Sequence, residues 1–257
     1  MANLELFDNY VAPRNLQREA LVGWAKSVLL LGLGVFFIYS ITSGNLTNYI
    51  NERFAWLSYV AAALFLLLGA ANTIDLLRNK EAAMRLDRSH APITWPVIAI
   101  VTIPLLLGIF VPSRPLGSAA AQGSVSLTAA SVTNATTFTT DPLKWNVLDW
   151  LRAFNASDDI TSFNGKEANV VGFVYREATF PDDQFMVARF TVSCCVADAS
   201  AIGLPVDAAN AASFPTDTWV SIKGTLKMDT FRGDDWPVLQ ATTIEQIEQP
   251  EHPYLYP

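Results

Sequence analysis

Two cysteines stand side by side at positions 194 and 195, and the chain of 257 residues has no others. Adjacent thiols admit three kinds of chemistry. They can close into a vicinal disulfide. Neighbouring Cα atoms lie only ~3.8 Å apart, below the usual disulfide range of ~4.4–6.8 Å, so that ring is strained, reducible and suited to a switch. They can supply two thiolates to a metal ion, for which Asp198 offers an oxygen and His252 a nitrogen. They can exchange disulfides with a partner, but that chemistry usually uses Cys-X-X-Cys at a helix N-terminus, a spacing absent here. Plain packing stands beside all three. Free cysteine is among the most buried residue types, and Cys194 is the better candidate for burial.

Other site chemistries find little support. The two histidines, His90 and His252, fall in different parts of the chain, so no Ser/His/Asp set can be assembled. The paired carboxylates Asp158-Asp159, Asp182-Asp183 and Asp234-Asp235 all sit among turn-forming residues and read as solvated loop tips. No phosphate-binding loop is present. Net charge is −7, and it divides unevenly: residues 1–117 carry nine Lys/Arg against seven Asp/Glu, while residues 118–257 carry eight against seventeen. An acidic second half argues against nucleic acid, whose phosphates need a basic surface. The expectation is a protein that is not an enzyme and has no resident cofactor, with a metal at Cys194, Cys195 and Asp198 as the one exception.

The cysteines end a run, Phe185-Met-Val-Ala-Arg-Phe-Thr-Val-Ser-Cys-Cys195, that reads as the central strand of a small β-domain, the strand itself expected at Phe185–Cys194. Alternation puts Met186, Ala188, Phe190, Val192 and Cys194 on one face and Phe185, Val187, Arg189, Thr191, Ser193 and Cys195 on the other. Arg189 shares the face of Cys195 but lies six residues away, roughly 20 Å along a straight strand at ~3.3 Å per residue. Further strands are expected at Lys166–Tyr175, Ala201–Val206, Thr218–Met228 and Pro237–Ile247, with turns at Pro181-Asp-Asp, Pro215-Thr-Asp and Arg232-Gly-Asp-Asp. Five short strands with Gly172 and Gly224 inside them fit a small OB-like barrel, with a β-sandwich as the runner-up. Ahead of the strands, Asp141 can cap a helix with Pro142 at its first position, and Leu143, Val147, Trp150, Leu151 and Phe154 recur at helical spacing. The tail from Glu248 holds three prolines in its last eight residues and is expected to be extended without regular structure. Tyr254 and Tyr256 are its anchors and, with Arg189, the candidate interaction surface.

The first half is apolar. Three spans are expected, at Ala25–Thr42, Phe54–Ile74 and Ile93–Val111. Twenty-one uncharged residues in the second suffice to cross a ~30 Å hydrocarbon core at ~1.5 Å per residue. Pro96 falls in the first turn of the third span, and Pro104 predicts a kink within it. Arg14 and Arg18 mark the N-terminal arm, with Lys26 just beyond it, and Arg78, Lys80, Arg85 and Arg88 mark the loop after the second span. The loop at 43–53 has only Arg53. The positive-inside rule therefore places the N-terminus in the cytoplasm and the β-domain outside. The divisions are a cytoplasmic arm at 1–24, a transmembrane region at 25–112, a mobile Ser/Ala/Thr-rich tether at 113–137 and the outer domain at 138–257. The loop at 43–53 is a hairpin between spans, with docking to the outer domain as the alternative.

Gly172-Phe-Val-Tyr175, the segment from Phe185 through Ser193-Cys-Cys-Val-Ala-Asp-Ala199, Gln249-Pro-Glu-His-Pro-Tyr-Leu-Tyr-Pro257 and Ser43-Gly-Asn-Leu-Thr-Asn-Tyr-Ile50 together resemble a bacterial family of membrane proteins. That family is described as the smaller subunit of a two-component membrane permease complex. The resemblance implies a separate multi-span permease as partner and a place in the cell membrane, and it supplies no established substrate or catalytic residues. Many members carry a His-rich stretch between the second and third spans, where this chain has only His90 in a basic loop. The resulting expectation is an accessory subunit of a permease complex. Two alternatives stay open: an extracytoplasmic thiol or metal sensor built on Cys194 and Cys195, and a membrane-tethered ligand-binding module.

Overall fold

The computed structural model describes residues 3–78, 95–121, 125–128 and 141–257, with side chains from residue 20 onward. Two compact units emerge. One comprises residues 1–46 and 52–113, the other residues 47–51 and 114–257.

The first unit is helical. Helix α1 spans Asn3–Thr42, α2 spans Ala55–Arg78 and α3 spans Trp95–Phe110. One helix runs through both the polar arm and the first apolar stretch, whose span-like part is Ala20–Thr42. It stops where Gly44, at φ +74°, takes the left-handed conformation that commonly ends helices. Small residues let α1 and α2 approach closely. A Cβ on Gly34 would sit 2.6 Å from Leu66 Cδ2, and one on Gly69 would sit 2.9 Å from Leu31 Cδ2. The Asn72 amide donates to Ser27 Oγ at 2.6 Å and to the Gly23 carbonyl at 3.2 Å, joining the two helices by polar contacts as well. Ala20–Thr42 and Glu52–Arg78 are long and apolar enough to cross a membrane. Helix α3 is apolar but has 16 residues, with Pro104 inside it. The basic residues Lys80, Arg85 and Arg88, and His90, lie outside the described residues.

The second unit is a six-stranded sheet: β1 Glu167–Tyr175, β2 Gln184–Thr191, β3 Ser200–Asp207, β4 Trp219–Phe231, β5 Asp234–Gln246 and β6 Tyr254–Leu255. Each of the first five strands pairs with two others among the five, in the cyclic order β1-β4-β5-β3-β2 and back to β1. The β3–β5 pairing is parallel and the other four are antiparallel. Strands β4 and β5 form a long hairpin whose turn, Arg232-Gly233, has both residues at positive φ, as a two-residue hairpin of matching twist requires. At Gly224 the ladder slips register, and a Cβ there would meet the Gln240 carbonyl oxygen at 2.2 Å.

Alternation along β2 holds and buries both faces. Phe185 and Val187 face one core cluster with Val170, Leu204, Ile222 and Leu239. Met186, Ala188, Phe190 and Val192 face a second, with Phe173, Phe231 and Tyr254. Helix α4, Val147–Ala156, covers the first cluster with Trp150, Leu151 and Phe154. Its start differs from expectation. Asp141 caps only a 3₁₀ turn at Pro142–Lys144, and the α-helix begins in a capping box between Asn146 and Asp149. Leu143 is consequently exposed rather than part of the apolar face.

Two further differences concern segments expected to lack structure. In the stretch read as a mobile tether, Ser126 pairs with Ile202, donating to the Ala201 carbonyl and accepting from the Gly203 N–H. Ala121 and Val125 are buried on the second cluster. In the tail, Tyr254 and Leu255 pair with Phe190 and Thr191. The pairing fits between Pro253 and Pro257, where neither missing N–H interrupts it.

Candidate functional site

Strand β2 stops at Thr191, three residues before the thiols, and not at Cys194 as its apolar pattern suggests. Beyond it the Val192 N–H donates to the Leu255 carbonyl, and the chain turns into a 3₁₀ segment at Val196–Asp198. Strict alternation therefore no longer separates the two side chains. Both cysteines are free, Cys194 exposed and Cys195 half-buried, and their sulfurs converge to 3.7 Å.

Asp198 folds back over the segment. Its Oδ1 accepts the Ser193 N–H at 2.9 Å and its Oδ2 the Cys194 N–H at 2.7 Å. Burial alone would raise this carboxyl. The bonds it receives from the Cys194 thiol and from the Cys194, Ser193 and Cys195 N–H groups hold it below the usual carboxylate range instead. The same carboxylate pushes the Cys194 thiol up to about 11, with the neighbouring Cys195 adding to the effect. A thiol so raised is almost entirely protonated at neutral pH and is a poor nucleophile. This geometry is unsuited to disulfide exchange, whose attacking thiol needs a low pKa.

Asp198→Asn removes the charge that keeps Cys194 protonated. In a Cys195→Ser background, iodoacetamide alkylation of Cys194 at neutral pH is expected to quicken ~10-fold or more, since each unit of pKa is a factor of ten in thiolate. An alkylation rate unchanged by the substitution would remove Asp198 from this role.

The opposite side of the cysteine segment is occupied by residues 47–51, from the loop between α1 and α2. Ile50 makes an antiparallel bridge with Cys195. The Asn51 N–H donates to the Cys194 carbonyl at 3.0 Å, its side-chain amide to the Ser193 carbonyl at 2.9 Å, and the Val196 N–H to the Tyr49 carbonyl at 2.9 Å. Sequence reasoning offered docking of this loop only as an alternative to a plain hairpin. Its signals were its polar composition and its place among the segments that carry the family resemblance.

Arg189, Tyr254 and Tyr256 were expected to form an exposed surface. Arg189 and Tyr254 are instead buried, at 6% and 2% exposure, and Tyr256 is half-buried. Arg189 Nε donates to the Pro253 carbonyl at 3.0 Å, Nη2 to that of His252 at 2.8 Å and Nη1 to that of Val171 at 3.3 Å. Its guanidinium also lies 5.2 Å from the Trp219 ring centre. Burial pushes it down to about 10, which leaves it charged at neutral pH. The Tyr254 hydroxyl accepts from the Leu116 N–H and donates to the Asn48 carbonyl at 3.0 Å, tying tail, post-α3 segment and loop together. Among the described residues no group of three or more His, Cys, Asp or Glu side chains is arranged to hold a metal ion. His252, the expected nitrogen donor to the thiols, contributes its backbone carbonyl to Arg189.

The DUF1980 N-terminal domain matches residues 26–125 and the DUF1980 C-terminal domain matches residues 133–257. A Streptococcus mutans protein named as a two-component membrane permease complex subunit is 24% identical over 270 residues, covering 90% of this chain and 98% of its own. The UPF0703 protein YcgQ of Bacillus subtilis is 25% identical over 280 residues, with the same shares covered. Among solved structures, a small single-stranded DNA-binding protein from Streptomyces coelicolor aligns with 33% of this chain and 96% of its own at 13% identity. Its TM-score of 0.23 carries no argument about fold or ligand.

Proposed function

Because the chain belongs to the DUF1980 family, carrying that family's N-terminal and C-terminal domains in order, we propose that it is a non-enzymatic accessory subunit of a membrane permease complex. It docks through its helices on a separate multi-span permease. The observation that carries this reading is the lack of charge in the apolar stretches. Residues 28–42, 54–74 and 95–111 contain no Asp, Glu, Lys, Arg or His. An ion or polar solute crossing a membrane is met by polar or ionisable groups along its path, and these helices offer almost none. Another chain must form the pore. The relative from Streptococcus mutans, named as a subunit of such a complex, supports the same assignment.

In this reading all three apolar helices cross the membrane, with the N-terminus in the cytoplasm and the sheet unit outside. The charge distribution of the short loops supports that orientation. The sheet unit is an OB-like barrel, supported by the pairing of β1 with both β2 and β4 and by the parallel β3–β5 contact. Exposed side chains on α3, among them Ile100, Ile103, Leu107 and Phe110, are available for the permease or for lipid.

One experiment reads both docking and orientation. Cells carrying Asp158→Cys in a Cys194→Ser/Cys195→Ser background are labelled with a membrane-impermeant maleimide, then solubilised in mild detergent, and the protein is purified with whatever binds it. Labelling of intact cells together with a stoichiometric multi-span partner is the expected result. Recovery of the protein without any such partner would sink the docking assignment, and labelling only after lysis would reverse the orientation.

A further inference from the structure

The 3.7 Å between Cys194 Sγ and Cys195 Sγ is a separation with chemical meaning. Two thiolates bound to one tetrahedral ion, each at ~2.3 Å, stand ~3.7–3.8 Å apart. The thiols therefore already have the bite of a chelate. We propose that Cys194 and Cys195 form a two-sulfur binding site for a thiophilic divalent cation of the zinc–cadmium class, with the Asp198 carboxylate supplying negative charge beside it.

The surroundings favour an ion between the sulfurs over a bond joining them. A vicinal disulfide has to accommodate Cα atoms only ~3.8 Å apart, which requires the peptide between them to distort. Here the backbone is fixed from two sides. Asp198 holds the Ser193 and Cys194 N–H groups, Asn51 holds the Ser193 and Cys194 carbonyls, and Tyr49 holds the Val196 N–H. That frame resists the twist but leaves the thiols where they are. Chelation needs no oxidant: two metal–sulfur bonds form, and the two thiol protons pass to solvent.

Two sulfurs and an adjacent carboxylate do not close a structural site, which takes four protein ligands. Among the described residues no group of three or more His, Cys, Asp or Glu side chains is arranged to hold a metal ion, so an ion on the two sulfurs keeps open positions for water or for a ligand brought by another molecule. Such a site suits capture and hand-over of an ion better than permanent retention. Cys194, on the exposed side, is the point of entry. The inference goes beyond the accessory-subunit reading and stands or falls without it, because it concerns this chain alone.

Its test uses the untagged full-length protein in mild detergent, reduced and stripped of metal, titrated with cadmium(II) alone. A sulfur-to-cadmium charge-transfer band saturating at one ion per chain is expected. Cys194→Ser and Cys195→Ser should each weaken binding by at least ~10-fold, and the double variant should give no band, while all three unfold at the wild-type temperature. Cadmium(II) added to the zinc-loaded protein should displace the zinc and develop the same band. No band in the wild type, a band retained in the double variant, or saturation at one ion per two chains would each overturn a chelate within one chain. Co-purification of a permease has no bearing on any of these outcomes.

Discussion

Trp150→Ala is expected to destabilise the sheet unit by ~3–5 kcal/mol, in the range of large aromatic truncations in a packed core. Trp150 is fully buried in α4. Its ring lies 4.8 Å from Trp145, 5.9 Å from Phe154 and 6.3 Å from Phe163, centre to centre. Phe154 in turn meets Trp236 of β5, so the cluster joins the helix to the sheet. The indole N–H has no hydrogen-bond partner, so truncation strands no acceptor and the loss is one of packing alone. For a unit of this size the shift corresponds to on the order of 10 °C or more in the unfolding temperature of the detergent-solubilised protein. Intrinsic fluorescence on heating measures it, with Leu143→Ala, at an exposed position, as the variant that leaves it unchanged. A drop of only a degree or two at Trp150 would mean that α4 is not integral to the fold.

Arg189→Ala is expected to release the C-terminal tail. A buried guanidinium is normally matched by a carboxylate, but Arg189 is matched by three backbone carbonyls, two of them from the tail. Its loss removes the only charge-assisted bonds described between Arg189 and that segment and leaves the Val171 carbonyl beneath it unpaired. At ~1.5–3 kcal/mol for each bond to a charged group, the tail should open at least ~100-fold more often. Hydrogen exchange of the 249–257 peptide, read by mass spectrometry, reports that opening directly. Exchange at the wild-type rate would show that β6 holds the tail by itself. Arg189→Lys should fall between the two, because one ammonium cannot reach carbonyls set at the three corners of a planar fork.

Much of this architecture was legible in the residues. Period-two alternation located all five long strands, most plainly β4, where Val220, Ile222 and Leu226 are buried and Lys223 and Lys227 are exposed. The turn at Arg232-Gly233 was readable from Gly233 and the two aspartates that follow it. The places where the reading missed have physical reasons. Leu143 matched the helical period of α4, but Asn146 outcompeted Asp141 as cap, because only Asn146 has an acidic residue three positions on to complete the box. The apolar pattern of β2 continued to Cys194, but Asp198 captured the N–H groups that a longer strand would have given to a neighbour. A local side-chain bond of that kind leaves no periodic trace.

The candidate site was half legible. Cys194, Cys195 and Asp198 were recognisable as a group from proximity along the chain. Their convergence was not, because alternation argues for sulfurs pointing apart. The partners on the far side, Tyr49, Ile50 and Asn51, lie more than 140 residues away and carry no chemistry of their own. They act through backbone groups and one amide. Arg189 was misassigned to the surface for a related reason. A charged side chain reads as solvated unless its acceptors can be seen, and carbonyl oxygens are invisible in a sequence.

The sheet unit is written in two pieces, residues 47–51 and 114–257. Ribosomes read those pieces in order. When Tyr49–Asn51 has just been translated, Cys194 and Cys195 are still about 145 codons away. At ~5–20 residues per second, the short segment waits roughly 7–30 s for its partner strand. Both neighbouring apolar helices are made before or during that interval. Synthesis of these helices thus precedes completion of the sheet, which requires the newly made cysteine segment to capture a pentapeptide made long before it. A chain that stalled before position 196 would carry finished helices and an open seam.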